Sequence, residues 1–192
     1  QRQILVTIEE PFRGKVSTAW VRKVITCAMD QALPQEQPAQ VAVLVTSDQT
    51  VRRLNRDYRG VDEVTDVLSF SADHPGHWEG EDQPPQDRLQ TSENQSSHPE
   101  FPLPPGEVPA LGEVVISYPQ TERQALEHRA AEDGAVGQEL ALLLVHGVLH
   151  LVGHDHLTPV ETAAMQQKER VALASIFESG KPVRKTAGKA CT

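Results

Sequence analysis

The sequence predicts an α/β or α+β domain, a small mixed four-stranded sheet packed with helices, with a metal-binding helix at its centre. Three observations predict it. Short β-rich apolar runs and segments of helical period succeed one another in the order β-α-β-α-β-β-α-α-α. A proline-rich acidic tract breaks into that succession once, between the third and fourth strands. Residues 138–156, QELALLLVHGVLHLVGHDH, join a nearly continuous apolar, proline-free helix to a glycine turn and carry several histidines.

Taken in order, residues 3–8 (QILVTI) are the first strand. Residues 16–33 place Val16, Ala19, Trp20, Val24, Cys27, Ala28 and Leu33 near helical spacing, and Pro34 stops that helix. Residues 41–46 (VAVLVT) form a continuous apolar run, which suits a central strand buried on both faces. Ser47 or Asp48 caps a helix over 49–58, with Val51, Leu54 and Tyr58 inward and Arg52, Arg53, Arg56 and Arg59 on or beside its solvated side. A strand follows at 65–70 (TDVLSF), and another at 111–117 (LGEVVIS). Pro119, at the first helical position, opens a helix to about residue 131, and Gly134 ends it. After the histidine helix, Thr158, Pro159 and Glu161 make a capping-box pattern. It starts a last helix with Val160, Ala164, Met165, Val171, Ala172 and Ile176 as core positions.

Residues 72–109 hold eight of the fourteen prolines and few large apolar side chains, so they read as a flexible insertion. Between 73 and 107 there are eight acids and one base, a net −7 of the chain's −9, which leaves −2 for everything else. Overall charge therefore does not exclude a nucleic-acid partner. His74, His77 and His98 fall in this tract and read as solvated residues. The organisation expected is one domain over 1–180, with the insertion at 72–109 and a basic tail at 181–192. Cys27 and Cys191 imply neither a disulfide framework nor a cysteine metal site. With no long uncharged apolar run and no signal-peptide pattern, a soluble cytoplasmic protein without a membrane partner is expected.

On a helix His146 and His150 lie four residues apart, so their rings project from one face. Gly153 permits a left-handed exit that returns His156 towards them as a third ligand. His154 lies between and either replaces that ligand or faces solvent. Three protein ligands leave a coordination position open, the mark of a catalytic rather than a closed metal site. The spacing matches the long zinc-protease motif, but Gly147 stands where a protease has its glutamate base. Three imidazoles suit zinc, nickel and other first-row ions.

Several blocks occur together in order: Leu54-Asn55 with Tyr58-Arg59, then Thr65 to Phe70 (TDVLSF), then Leu111 to Ser117 (LGEVVIS). His146-Gly147, Leu149-His150-Leu151, Gly153 and Asp155-His156 follow, with Met165 after them. Over roughly residues 41–175 this resembles the YbeY family of metal-dependent endoribonucleases and rRNA maturation factors. The resemblance implies one zinc ion held by His146, His150 and His156, with Arg59 as a functional base that stabilises phosphoryl charge. It implies single-strand-specific cleavage of RNA in rRNA maturation at the 16S 3′ end and in ribosome quality control, with small-subunit ribosomal proteins as candidate further partners. Asp66, Glu113 and Asp155 are candidate proton acceptors or partners of a ligand ring. The chain departs from the family in having His154 where an aromatic residue is usual, and in the length of its insertion. Two alternatives stand beside this reading: a zinc metalloprotease, opposed by Gly147, and a non-catalytic ribosome-assembly factor with a structural metal.

Overall fold

A computed structural model of the chain describes residues 1–72, 107–129, 133–154 and 158–178. Most of the expected insertion and the whole basic tail lie outside these residues, as do His74, His77, His98, Asp155 and His156. The described chain runs β1 (Arg2–Ile8), a short 3-10 turn (Glu10–Phe12), α1 (Thr18–Ala32), β2 (Ala39–Thr46) and α2 (Asp48–Arg59). It continues through β3 (Val67–Ser71), β4 (Ala110–Ser117), α3 (Tyr118–Arg129), α4 (Ala135–Leu151) and α5 (Pro159–Glu178). The sheet order is β1-β2-β4-β3; β1 and β4 run parallel to β2, and β3 pairs antiparallel to β4. The expected small mixed four-stranded sheet is present. Among the described residues no helix is long and apolar enough to cross a membrane.

Strand alternation divides the apolar residues between two layers. Val41, Val43, Val45, Val114 and Ile116 join the main core with α1, α4 and α5, whereas Val115 and Leu68 meet Val51 of α2 on the other face. β2 is thus central and covered on both sides, but unequally: its alternate residues Gln40, Ala42 and Leu44 are only half-buried.

Local chemistry sets the helix ends. The Ser17 side chain accepts from the Trp20 amide, and that of Ser47 from the Thr50 amide. Thr158 and Glu161 make the reciprocal capping box, with the Glu161 amide donating to Thr158 Oγ1 at 3.2 Å and the Thr158 amide to Glu161 Oε2 at 3.0 Å.

Several expectations need correction. Tyr58 is 62% exposed and packs edge-on against Phe70, while Asn55 is buried and donates through Nδ2 to the Glu63 carbonyl at 3.0 Å. A small amide that donates once fits beneath α2 where the phenol does not, although its Oδ1 is buried with no hydrogen-bond partner among the described residues. On α1 the buried stripe is Val21, Val24, Ile25, Ala28 and Met29, so Ala19 is outside and Trp20 only flanks the core. On α5, Met165, Ala172 and Ile176 are buried, but Val160 is 79% exposed, and Val171 and Ala164 are exposed too. Composition alone counted these as core, although they lie off the stripe that meets α1 and α4. Tyr118, not Pro119, is the first residue of α3, and Gly134 at φ 82° caps the start of α4 rather than ending α3. Arg52 and Arg56 do lie on a solvated face, where both reach Asp62; the Arg52 hydrogen bond holds the Asp62 carboxyl below the ordinary carboxylate range.

One glycine fixes the join between β3 and β4. Gly112 has φ 139°, and a Cβ there would lie 2.0 Å from the Phe70 carbonyl oxygen. Gly112→Ala is expected to cost about 2–4 kcal/mol, read as a lower urea midpoint. An unchanged midpoint would contradict this close approach.

Candidate metal centre

Helix α4 lies flush on the sheet along one side. Leu140, Leu144, Val148 and Leu151 are buried there, and Gly147 meets the strands so closely that a Cβ would sit 2.8 Å from Val114 Cγ1 and 3.1 Å from Ser69 Oγ. Two β3 hydroxyls pin the helix: Ser69 Oγ donates to the Gly147 carbonyl at 3.3 Å, and Ser71 Oγ to the Leu151 carbonyl at 3.0 Å. The second bond satisfies one of the carbonyls that every helix leaves open at its C-terminus. Glycine at 147 is therefore a packing requirement. The same contact explains why no protease-like glutamate follows His146: its side chain would point into the sheet.

His146 and His150 lie about a quarter-turn round the helix from Gly147, by the geometry of 3.6 residues per turn. Both rings are half-buried. Their Nε2 atoms are 3.0 Å apart and their planes cross at 74°. His146 Nδ1 lies 2.7 Å from Glu169 Oε1, a carboxylate of α5 whose side chain is only 13% exposed. That carboxylate accepts from Nδ1, which leaves the Nε2 lone pair of His146 directed at His150. This is the tautomer that metal ligation through Nε2 needs. For metal–nitrogen bonds of about 2.0–2.1 Å, two nitrogens at this separation need only a few tenths of an ångström of adjustment to share one cation.

The turn after α4 takes the predicted form. Gly153 is left-handed at φ 81° and donates to the His150 carbonyl at 3.0 Å, while the His154 amide donates to the Leu149 carbonyl at 3.1 Å. This pair of bonds is a Schellman motif. His154 is half-buried; burial first, then the Lys168 and His150 charges, hold its imidazole below the ordinary range. Among the described residues no three metal-ligating side chains gather into one group, and the expected third ligand, His156, lies outside them with Asp155.

The other singled-out residues are dispersed. Arg59 is the last residue of α2, half-buried before the left-handed Gly60 cap, and its side chain is engaged rather than free. Asp66 borders the same cleft as His146, but its carboxylate is already occupied. It accepts from the Val67 amide at 2.7 Å, Gln124 Nε2 at 3.0 Å and Thr65 Oγ1 at 3.2 Å, tying α3 to β3. Glu113 is exposed, and because its neighbour Val114 faces α4 its own side chain falls on the α2 side of the sheet, away from the histidine pair. Sequence reasoning missed Glu169. Its signal was there: Met165, Glu169, Ala172 and Ile176 follow one another at helical spacing, a carboxylate within the inward stripe of α5.

Comparison with known proteins bears directly on this geometry. The family model for endoribonuclease YbeY matches residues 8–176. The chain belongs to the YbeY endoribonuclease family. An endoribonuclease YbeY of Dehalococcoides mccartyi is 37% identical over 176 residues, 92% of this chain and 91% of the relative. That of Brevibacillus brevis is 35% identical over 87% of this chain and 91% of its own length. The solution structure of TM1509 from Thermotoga maritima superposes with a TM-score of 0.53 at 19% identity, covering 92% of this chain and 91% of that one, which shows a shared fold. Membership of this family makes the protein an endoribonuclease, a hydrolase acting on RNA.

The packing at Gly147 gives a sharp expectation. An open helix gains about 1 kcal/mol when glycine becomes alanine, yet Gly147→Ala should lower the urea midpoint. Gly147→Glu should fail to fold stably and should not hydrolyse casein. A stable Gly147→Glu protein would contradict the flush contact.

Proposed function

We propose that this protein is a metal-dependent, single-strand-specific endoribonuclease of ribosomal RNA maturation, cutting at the small-subunit RNA 3′ end and serving ribosome quality control. His146, His150 and His156 hold one zinc ion in this reading. The observation that carries it is the pair of Nε2 atoms 3.0 Å apart, with Glu169 selecting the ligand tautomer of His146. The names borne by the Dehalococcoides and Brevibacillus relatives support an RNA substrate. Small-subunit ribosomal proteins are further candidate partners, and the cytoplasm is the compartment where such a substrate is met.

When bound, the ion supplies Lewis acidity, lowering the pKa of water in its open position towards about 7 and polarising a phosphoryl oxygen. The chain's own residues do the remainder. Glu169 holds the His146 ring in one orientation and tautomer, so the donor atom needs no rearrangement when substrate arrives. Ser69 and Ser71 keep α4, and with it both rings, at a fixed height above the sheet. Arg59 is assigned the negative charge that spreads over the phosphoryl oxygens in the transition state, since its guanidinium is permanently charged and forks to two oxygens at once. Gly147 supports RNA over peptide as the substrate, because no carboxylate stands beside the first histidine.

Metal analysis joined to cleavage of single-stranded RNA tests the reading. His150→Ala should lose its metal and its activity together, and Glu169→Gln should bind metal about 10–100-fold more weakly. Arg59→Glu should keep fold and metal but lose roughly a hundredfold in kcat/KM. Full RNA processing by a folded, metal-loaded Arg59→Glu would remove Arg59 from the mechanism and favour an assembly factor with a structural metal.

A further inference from the structure

The cleft that His146 and Glu169 border, about 350 Å³ in volume, contains a second histidine–carboxylate pair. Glu139 of α4 has a side chain only 3% exposed, and its Oε1 lies 3.2 Å from Nδ1 of His128 on α3. Around it on the helix, Val136, Leu140, Leu143 and Leu144 belong to the main core or pack against it. A carboxylate placed there is costly unless paired, and an apolar residue of similar size generally serves stability as well or better. The pairing does, however, accomplish one thing. With Nδ1 donating to Glu139, the His128 ring is held in place beside the cleft while its side chain stays 58% exposed, and Nε2 is left as a hydrogen-bond acceptor. His146 is oriented in the same way, through Nδ1 to a glutamate Oε1.

The two pairs are aligned. Glu139 precedes His146 by seven residues, so both lie on one side of α4, about 10 Å apart along its axis. Leu142, half-buried, lines the cleft with them, with Leu143 and Met165 behind it, and gives an apolar patch against which a base can rest. A strand whose scissile phosphate sits at the His146–His150 end can continue along this surface to His128.

We propose that His128, positioned by Glu139, is a second contact point for the RNA strand, its Nε2 accepting a hydrogen bond from the ribose 2′-hydroxyl of a nucleotide flanking the scissile one. This rests on the reading of the cleft as the RNA site. His128 acts on substrate binding; Glu139 is a positioning residue that acts through it.

Steady-state cleavage of single-stranded RNA by the metal-loaded protein, with metal content measured alongside, decides the matter. His128→Ala should raise KM about fivefold, the worth of one hydrogen bond between neutral groups, with kcat and metal content unchanged. His128→Gln, whose amide oxygen keeps an acceptor for the hydroxyl, should restore most of the loss. Glu139→Gln should raise KM less than His128→Ala, and combining the two should add nothing to His128→Ala alone. Wild-type cleavage with an unchanged KM in His128→Ala would overturn the proposal and leave the proposed function standing. So would a Glu139→Gln effect of equal size with and without His128, because the carboxylate would then serve the fold. A wild-type protein that carries metal but cuts no RNA would remove both readings together.

Discussion

The contact on which the molecule depends is the seating of α4 on the sheet at Gly147. There is no room for a side chain between that backbone and Val114, and the hydroxyls of Ser69 and Ser71 close the gap from β3. Protein interiors are packed too tightly to absorb a methylene at such a point without a shift. The helix is therefore fixed in height and rotation about its axis, and the side a quarter-turn away necessarily carries Glu139, His146 and His150 along one cleft. A functional surface is set here by what the opposite contact forbids.

Around this fixed helix, neighbouring elements supply the partners that orient its rings. α5 brings Glu169 to His146, and α3 brings His128 to Glu139. The pinning serines come from β3, the edge strand antiparallel to β4, in alternation with Leu68 and Phe70, which face α2. One short strand thus joins the two layers: its even residues close the small cluster under α2, and its odd ones hold the histidine helix. Glu169 acts on the imidazole and not on substrate, so its effect is to fix which nitrogen carries the proton. On the solvated face of α2, Arg52 and Arg56 are drawn to Asp62.

Much of this was legible in the sequence because the relevant signals are local. Element order, the Ser47 and Thr158 caps, the left-handed turn at Gly153 and the shared face of His146 and His150 depend on neighbours a few residues apart. The misreadings arose where a distant element decides. Tyr58 and Asn55 exchanged places because the space under α2 is bounded by β3 and Glu63, and Val160 and Val171 stand outside because α1 and α4 choose the stripe of α5 that they cover. Glu169 and Glu139 went unread for the same reason. A carboxylate in a helical stripe gains meaning only when the imidazole facing it, here 23 or 11 residues away in sequence, is known. Gly147 is the instructive case, since its identity was noted as a missing base, whereas the fold makes it a required absence of side chain.

The convergence of imidazoles on one cation is tested most directly by X-ray absorption spectroscopy of the purified, metal-loaded full-length protein. A three-histidine centre predicts three imidazole nitrogens at about 2.0–2.1 Å with a further light-atom ligand from solvent, and one imidazole fewer in His156→Ala. A first shell with no more than one imidazole, or one dominated by sulfur, would contradict it.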